Sequence, residues 1–186
     1  MEKFGIGQGV LREEDPRLLR GKGLFVNDVE LPGQTHAVVL RSPHAHADIL
    51  GIDISAAAGL PGVLAIYTGE DIAADNLGVP GMPAKWLRPD GQPMKYRPQP
   101  PLALGRVRYV GDPVALIVAE TLDQATDAAE TVMVDYAPLP SITDTAQTVQ
   151  SDAPLVWDDY PDNVSGLYQA GDETATDRAL ETAHRV

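Results

Sequence analysis

The 186-residue sequence contains no cysteine, which excludes disulfide bonds and any thiolate-held iron–sulfur or zinc site within the chain. Aromatic residues make up only 5% of the sequence, so the core must be built mainly from Val, Ile, Leu and Ala. No apolar run approaches the ~20 residues that span a bilayer. The charged, glycine-containing N-terminus lacks the apolar segment of a secretory signal. We therefore expect a cytoplasmic protein without membrane insertion.

Basic residues are also scarce. Lys and Arg number 14 against 27 Asp and Glu, which gives a formal net charge of -13. Such a chain is repelled by the phosphates of nucleic acids and by anionic membrane surfaces, so we expect no nucleic acid partner. The hydrophobic fraction of 44% excludes a disordered chain and permits a real core. The length suits one domain with an appended segment.

Turn-forming residues dominate the first part of the sequence. Pro16 and the glycine- and proline-containing segments 21–23 and 31–33 interrupt any regular element there. This pattern predicts an extended arm over residues 1–34. The arm either lies on a partner surface or extends freely into solvent.

Regular structure is predicted from Thr35 onward, in strands that alternate with helices. Residues 35–41 are rich in strand formers, and residues 47–67 indicate strand, short helix and strand, with Ser55 capping the helix and Gly59 ending it. Residues 114–136 repeat this layout more clearly, with an apolar strand, a helix and an alternating strand. Its helix begins with the capping-box spacing of Thr121 and Gln124. We predict a βαβ crossover with parallel strands there.

Seven prolines between residues 77 and 105 predict a long Pro-rich loop. Trp86 and Tyr96 lie in this loop, where they either dock a partner or pack on the domain itself. Farther along, we predict a short helix in 141–149, a last strand in 166–170 and a final helix capped by Thr174. The core domain is thus expected over residues 35–150. Residues 151–186 are expected to form an acidic linker and the truncated start of a following domain.

Common catalytic signatures are missing from the sequence. It contains no Walker-type phosphate loop, no GxSxG elbow and no thiol nucleophile. The glycines of residues 5–9 are similar to a dinucleotide-binding turn, but no strand precedes them and the third glycine is misplaced. A flexible terminal arm is the alternative interpretation of this segment.

The sharpest candidate for a metal site is the segment with His44, His46 and Asp48. On an extended chain these three side chains would point to one face and could bind zinc or non-haem iron. Pro43 favours a turn that would break this alternation, and His36 has no evident reason to converge on the site. The alternative is a pair of hydrogen-bonded turn histidines.

Several carboxylates also suggest local structure. Asp112 precedes Pro113, which is typical of a turn whose carboxylate binds nearby amides; a general base would need a partner and a pocket. Four further aspartates crowd residues 151–163 without EF-hand spacing, so we expect a solvated acidic loop rather than a calcium site. These aspartates are Asp152, Asp158, Asp159 and Asp162.

A series of short segments, in order along most of the chain, resembles one family. The most specific is VRYVGDPVA at 107–115, followed by VAET at 118–121 and AAE at 128–130. The others are REEDPRLLRG at 12–21, LPG at 31–33, THA at 35–37, RSPHAHA at 41–47, PGV at 61–63, TG at 68–69, VDY at 134–136 and LP at 139–140. Together they resemble the N-terminal domain of the molybdopterin-binding large subunit of the xanthine dehydrogenase, aldehyde oxidase and aerobic carbon monoxide dehydrogenase family. The carbon monoxide dehydrogenase branch is the most similar.

The resemblance implies an α+β fold, the α/β-hammerhead, with a mixed sheet, strand–helix–strand units and a long Pro-rich loop. It also implies a longer subunit that holds molybdenum on a molybdopterin cytosine dinucleotide and oxidises carbon monoxide, purines or aldehydes with oxygen from water. Electrons would pass through two [2Fe-2S] clusters to FAD on partner subunits. The cofactor loops and the catalytic glutamate of the family lie in later domains, so no catalytic, cofactor-binding or metal residue is carried over to this chain.

We therefore expect a structural domain that buttresses the cofactor domains of an oxidoreductase and is inactive alone. Its partners would be the remaining domains of the large subunit and the iron–sulfur and FAD subunits. Two alternatives remain open at this point. One is a stand-alone binding module with the same fold, and the other is a small metalloenzyme that uses His44, His46 and Asp48.

Overall fold

The computed structural model describes residues 9, 11–76, 86–97, 99–160, 162–168 and 170–184. Contacts divide the chain into two compact units, Met1–Gln34 and Thr35–Val186. The first unit contains a one-turn helix, α1 (Asp15–Leu18), and a 3-10 turn at Val26–Asp28. Neither element buries a residue. Apart from Gly9, the glycine segment 5–9 lies outside the described residues.

In its described residues, the second unit consists of six strands and four helices. In chain order they are β1 (His36–Arg41), β2 (Ala47–Asp53), α2 (Ser55–Ala58), β3 (Val63–Thr68), α3 (Gly69–Ala74), β4 (Arg106–Val107), β5 (Pro113–Ala119), α4 (Leu122–Thr131), β6 (Met133–Pro138) and α5 (Glu173–Glu181). The predicted sequence of strand, short helix and strand over 47–67 is confirmed, as is the strand, helix and strand over 114–136. The α+β class is therefore correct.

The strands form two three-stranded sheets, and all their pairings are antiparallel. The first sheet has the order β1-β5-β3 and the second has the order β4-β2-β6. The predicted parallel crossover over 114–136 was wrong, because β5 and β6 belong to different sheets. In place of the expected mixed sheet, the strands form two antiparallel sheets. The apolar run of β5 instead reflects its central position between β1 and β3, which buries it as a crossover strand would be buried.

Helix α4 covers one face of the first sheet through small side chains. Ala115, Ile117 and Ala119 of β5 are fully buried beneath Ala125 and Ala128 of the helix. Alanines on both elements let the helix lie close to the sheet. This part of the core is therefore closely packed without large aromatic side chains.

A second core cluster lies beside the first. It contains Ala47, Ala103, Val107 and Val114, all nearly or fully buried. Ile52 and Val134, from the second sheet, pack against both clusters. The two sheets therefore share one continuous apolar interior.

The predicted caps were confirmed at α4 and only in part at α2. The Thr121 amide donates to Gln124 Oε1 at 3.1 Å, and the Gln124 amide donates to Thr121 Oγ1 at 3.2 Å, as the capping box predicted. Ser55 does not cap α2. Its amide and hydroxyl instead donate to Asp53 Oδ1, at 2.9 and 2.6 Å, while Gly59 ends the helix as expected.

Three predictions near the C-terminus need correction. Helix α5 begins after Asp172, not at Thr174, because Asp172 Oδ1 accepts the Ala175 amide at 2.9 Å. Residues 141–149 form turns instead of a helix, since the side chain of Asp144 binds nearby amides in place of the helical pattern. The expected strand over 166–170 is reduced, in its described residues, to one bridge between Leu167 and Leu87.

Candidate functional site

The segment that carries His44, His46 and Asp48 forms a turn and not an extended strand. Ser42 Oγ accepts the amide of His44 at 3.0 Å, which folds the chain back directly after β1. The ring of His44 lies 4.9 Å from that of Tyr136, and His46 Nδ1 lies 2.8 Å from the carbonyl oxygen of Pro140.

Asp48 contacts a different residue from either histidine, because its Oδ1 accepts a hydrogen bond from Nε of Arg106 at 2.5 Å. His36 lies on β1 opposite Ala119. The structure therefore does not bring the candidate ligands together. Nowhere in the described residues do three or more His, Asp or Glu side chains form a group that could hold a metal ion.

His46 is the most constrained of these side chains. Only 9% of it is exposed, and a carbonyl oxygen can only accept, so Nδ1 must carry the proton that binds Pro140. Nε2, the other ring nitrogen, is buried without a hydrogen-bond partner in the described part of the chain. Beside it lies a cavity of about 20 Å³ that Arg108 and Ser141 also line. This volume is close to that of one water molecule.

Asp112 occupies the turn that the Asp-Pro sequence predicted. Its Oδ2 accepts the amide of Arg108 at 2.9 Å, and its amide donates to the carbonyl of Tyr109 at 3.1 Å. The carbonyl of Asp112 accepts the amide of Ser42 at 2.9 Å. Asp112, which is only 7% exposed, thus fixes the main chain at Arg108, whose side chain lines a cleft.

This cleft, the arginine cleft, has a volume of about 500 Å³. Three arginines contribute positive charge to its lining and Asp112 contributes a negative charge. The turn before β5 and the segment after residue 155 contribute aromatic and apolar surface. The residues used below are Arg97, Arg106, Arg108, Tyr109, Val156 and Trp157. The volume lies in the range of small-molecule sites.

Cation–π contacts hold the cleft together. The guanidinium carbon of Arg108 lies 3.6 Å from the centre of the Trp157 ring, and that of Arg97 lies 5.5 Å from the same ring. Arg97 and Lys95 also lie over Tyr160, at 5.6 and 4.9 Å. Stacking of this kind orders the long cationic side chains around one aromatic pair.

The four aspartates of residues 151–163 are exposed or partly exposed, as expected of a solvated acidic loop, but three of them also pair with arginines. Asp158 binds Arg106 Nη1 through both oxygens, at 2.8 and 2.9 Å, and Asp159 pairs with Arg97. Asp162 binds Nη2 of Arg88 at 2.9 and 3.0 Å. These ion pairs were not predicted from the sequence.

A signal for these pairs was present in the sequence. The chain is acidic as a whole, but six of its 14 basic residues fall between positions 85 and 108. Four aspartates fall between positions 151 and 163. Two long segments of opposite charge favour contact with each other. Local spacing could not reveal which arginine meets which aspartate, because the partners are 52 to 74 residues apart.

Arg108 differs from its neighbours in the charge it faces. In the described part of the chain, the guanidinium groups of Arg88, Arg97 and Arg106 each have a carboxylate within 4 Å, and the guanidinium of Arg108 has none. Its Nε and Nη1 donate to the carbonyls of Val156 and Arg106, both at 3.3 Å. Burial, together with the nearby charge of Arg106, lowers the pKa of Arg108.

The other aromatic residues of the Pro-rich loop lie apart from this cleft. Trp86 is 47% exposed, and its ring lies 5.9 Å from that of Tyr168. Tyr96 is 37% exposed. Residues 77–85 and 98 of the loop lie outside the described residues. Among the helices that the structure describes, none has the length and apolar character needed to cross a membrane.

Comparison with known proteins identifies the family. The family described as "Aldehyde oxidase and xanthine dehydrogenase, a/b hammerhead domain" matches residues 20–140. The chain is 39% identical to the nicotine 6-hydroxylase large subunit of Paenarthrobacter nicotinovorans, over 97% of this chain and 21% of that protein. It is 38% identical to the carbon monoxide dehydrogenase large chain of Afipia carboxidovorans, over 98% of this chain and 23% of that protein.

Among solved structures, the Cu,Mo-CO dehydrogenase in its carbon monoxide reduced state is similar with a TM-score of 0.69 and 35% identity. That match covers 97% of this chain and 23% of the other. The chain thus spans about a fifth of the length of the curated relatives it matches. The family match, which covers most of the chain, and the identity to these large subunits lead to one conclusion: this chain belongs to the aldehyde oxidase and xanthine dehydrogenase family and contains its α/β-hammerhead domain.

Proposed function

We propose that the chain is the structural N-terminal domain of a molybdenum hydroxylase large subunit and has no catalytic activity alone. The observation that carries this proposal is the coverage of the matches. Nearly all of this chain is similar to about a fifth of each of two large subunits. One belongs to a nicotine 6-hydroxylase and the other to a carbon monoxide dehydrogenase. The remaining four fifths of such a subunit leaves ample chain for the cofactor and the reaction.

The described residues do not fit the cofactors of that family. A dinucleotide cofactor carries a pyrophosphate, and two of the three arginines that line the arginine cleft, Arg97 and Arg106, are already paired with Asp159 and Asp158, which leaves one guanidinium for two phosphates. Iron–sulfur clusters need thiolate ligands, and the chain has no cysteine. We therefore place the molybdopterin cytosine dinucleotide in the other domains of the subunit, and the [2Fe-2S] clusters and FAD on partner subunits.

Three regions of the chain would then have different structural roles. Residues 1–34 form an arm for contact with a neighbouring domain or subunit, and Leu11, Leu19 and Val26 of this arm are each more than four-fifths exposed. Residues 35–150 form the hammerhead, and 151–186 lead toward the following domain. The first part of that last region also packs on the hammerhead, because Trp157 stacks on Arg108.

An activity assay tests the proposal. The purified chain is incubated with an electron-accepting dye and with carbon monoxide, xanthine or an aldehyde, beside an intact molybdenum hydroxylase as positive control. We expect no dye reduction and no stoichiometric molybdenum in the purified chain. Turnover with any of these compounds would show that the chain carries its own active site.

The gene provides a second test. An open reading frame that continues beyond Val186 into glycine-rich cofactor loops supports the structural role. A stop codon directly after Val186 instead favours the stand-alone binding module. The small metalloenzyme has no support, because His44, His46 and Asp48 each bind a different partner.

A further inference from the structure

The arginine cleft contains one guanidinium whose charge the chain itself leaves unmatched. Arg106 faces Asp48 and Asp158, and Arg97 faces Asp159. The guanidinium of Arg108 has no carboxylate within 4 Å in the described part of the chain, although burial already penalises its charge. A partly buried cation of this kind gains most from an anion that supplies the missing carboxylate.

The surroundings of Arg108 hold its guanidinium in one orientation. It stacks on the Trp157 ring at 3.6 Å, and the carbonyls of Val156 and Arg106 accept Nε and Nη1. Little side-chain entropy remains to be lost when an anion binds to a guanidinium that is already ordered. The planar guanidinium also matches the planar geometry of a carboxylate.

The other cations of the cleft already have partners, which favours an anion with a single negative charge. Arg97 and Arg106 pair with Asp159 and Asp158, and Asp112 also lines the cleft and would repel a phosphate dianion. The remaining lining is largely apolar and includes Pro100, Leu104 and Val156. About 500 Å³ leaves room for a ring-sized body beside the charged group.

We propose that the arginine cleft binds a small organic monocarboxylate with an apolar body, whose carboxylate pairs with Arg108. The apolar body lies against Leu104, Val156 and the ring of Tyr109. This site goes beyond the structural role proposed above and does not depend on it, because binding to the isolated chain is measured without any turnover.

Calorimetry with benzoate tests the proposal on the 186-residue chain. We expect one site with a dissociation constant in the low millimolar range, as one charged pair with modest apolar contact would give. Benzamide, which has the ring without the charge, and inorganic phosphate, which has charge without the ring, should each bind at least about tenfold more weakly. Phosphate binding as tight as that of benzoate would overturn the proposed ligand class.

A matched pair of variants locates the site. Arg108→Gln and Arg178→Gln remove the same charge, but Arg178 lies on the exposed helix α5, away from the cleft lining. We expect Arg108→Gln to weaken benzoate binding at least about tenfold and Arg178→Gln to leave it unchanged. Equal binding by the wild type and Arg108→Gln would overturn the proposal.

A measurement on the wild-type chain covers the case in which Arg108→Gln does not fold. The sequence contains two tryptophans, and Trp157 lines the cleft while Trp86 does not. On titration with benzoate, the indole N–H resonance of Trp157 should shift and saturate, and that of Trp86 should stay in place. No saturable shift at Trp157, or equal shifts at both, would contradict binding in the arginine cleft.

Discussion

Gly69 lies against the main chain of Ala103 so closely that no larger residue fits at the start of α3. A Cβ added at Gly69 would lie 2.2 Å from the carbonyl oxygen of Ala103 and 2.8 Å from its carbonyl carbon. Ala103 is itself fixed, since its amide donates to the carbonyl of Pro113 at 2.7 Å. The contact therefore joins the end of β3 to the segment that leads into β4.

Gly69→Ala tests this contact. The new methyl group would push on main-chain atoms that cannot rotate away, so we expect the free energy of unfolding to fall by about 2 kcal/mol or more. Gly51→Ala is the matched control, because a Cβ at Gly51 meets nothing within 4 Å. Urea denaturation followed by circular dichroism measures both variants. Equal stability of the two would show that the segment at Ala103 can shift freely.

The pair of Asp162 and Arg88 should matter more than its surface position suggests. Only 3% of the Arg88 side chain is exposed, and Asp162 binds it through both oxygens. Asp162→Asn would leave the guanidinium buried without its carboxylate, so we expect a clearly lower urea midpoint. Asp90→Asn is the control, because Asp90 is 56% exposed and lies 3.7 Å from Nε of the same arginine. Similar midpoints for the two variants would disprove the dominant role of Asp162.

The same pair predicts a pH dependence. The hydrogen bond from Arg88, with that from the amide of Val164, lowers the pKa of Asp162 below its ordinary value of 3.8. A carboxyl whose pKa is lowered in the folded state contributes stability above that ordinary value, and the contribution is lost as the pH falls through the lowered pKa. The difference in urea midpoint between wild type and Asp162→Asn should therefore be large near neutral pH. It should shrink below about pH 4, and a constant difference down to acid pH would contradict this assignment.

The start of α3 offers a test of capping. Asp71 Oδ2 accepts the amide and the hydroxyl of Thr68, at 2.7 and 2.8 Å. We expect Asp71→Ala to lower the free energy of unfolding by about 1 kcal/mol, as the loss of a helix cap does. Glu70→Ala removes a neighbouring acid from the same turn and should cost less. If the two variants lose the same stability in urea denaturation, the general charge of the turn matters and the specific cap does not.

Local signals in the sequence predicted the elements, and distant partners decided how they pair. The capping box of Thr121 and Gln124 lies within four residues and was confirmed. The partner of His36 in the first sheet is Ala119, far along the chain, and nothing near either residue indicates the pairing. Strand periodicity specifies which face is apolar, but it does not specify which strand lies beside it.

The arginine cleft shows the same limit. Arg108 and Trp157 meet only after the chain has folded, and no local spacing connects two residues that lie so far apart in the sequence. In the segment with His44, His46 and Asp48, by contrast, the local spacing itself was misleading. Its spacing suggested a common face, but one hydrogen bond from the His44 amide to Ser42 Oγ was enough to turn the chain.

The order of the strands has a consequence for how this domain is made. Among the strands that the structure describes, β1, β3 and β5 form one sheet and β2, β4 and β6 form the other, so no two consecutive strands of this set pair. Neither sheet can therefore start from a hairpin of neighbouring strands, and each must wait for long loops to close, which is typical of slow folding. During synthesis on the ribosome, β1 and β3 remain without a neighbour until β5 has emerged. The domain therefore has no stable half, and a nascent chain that stops before Ala119 exposes unpaired strand edges to other chains.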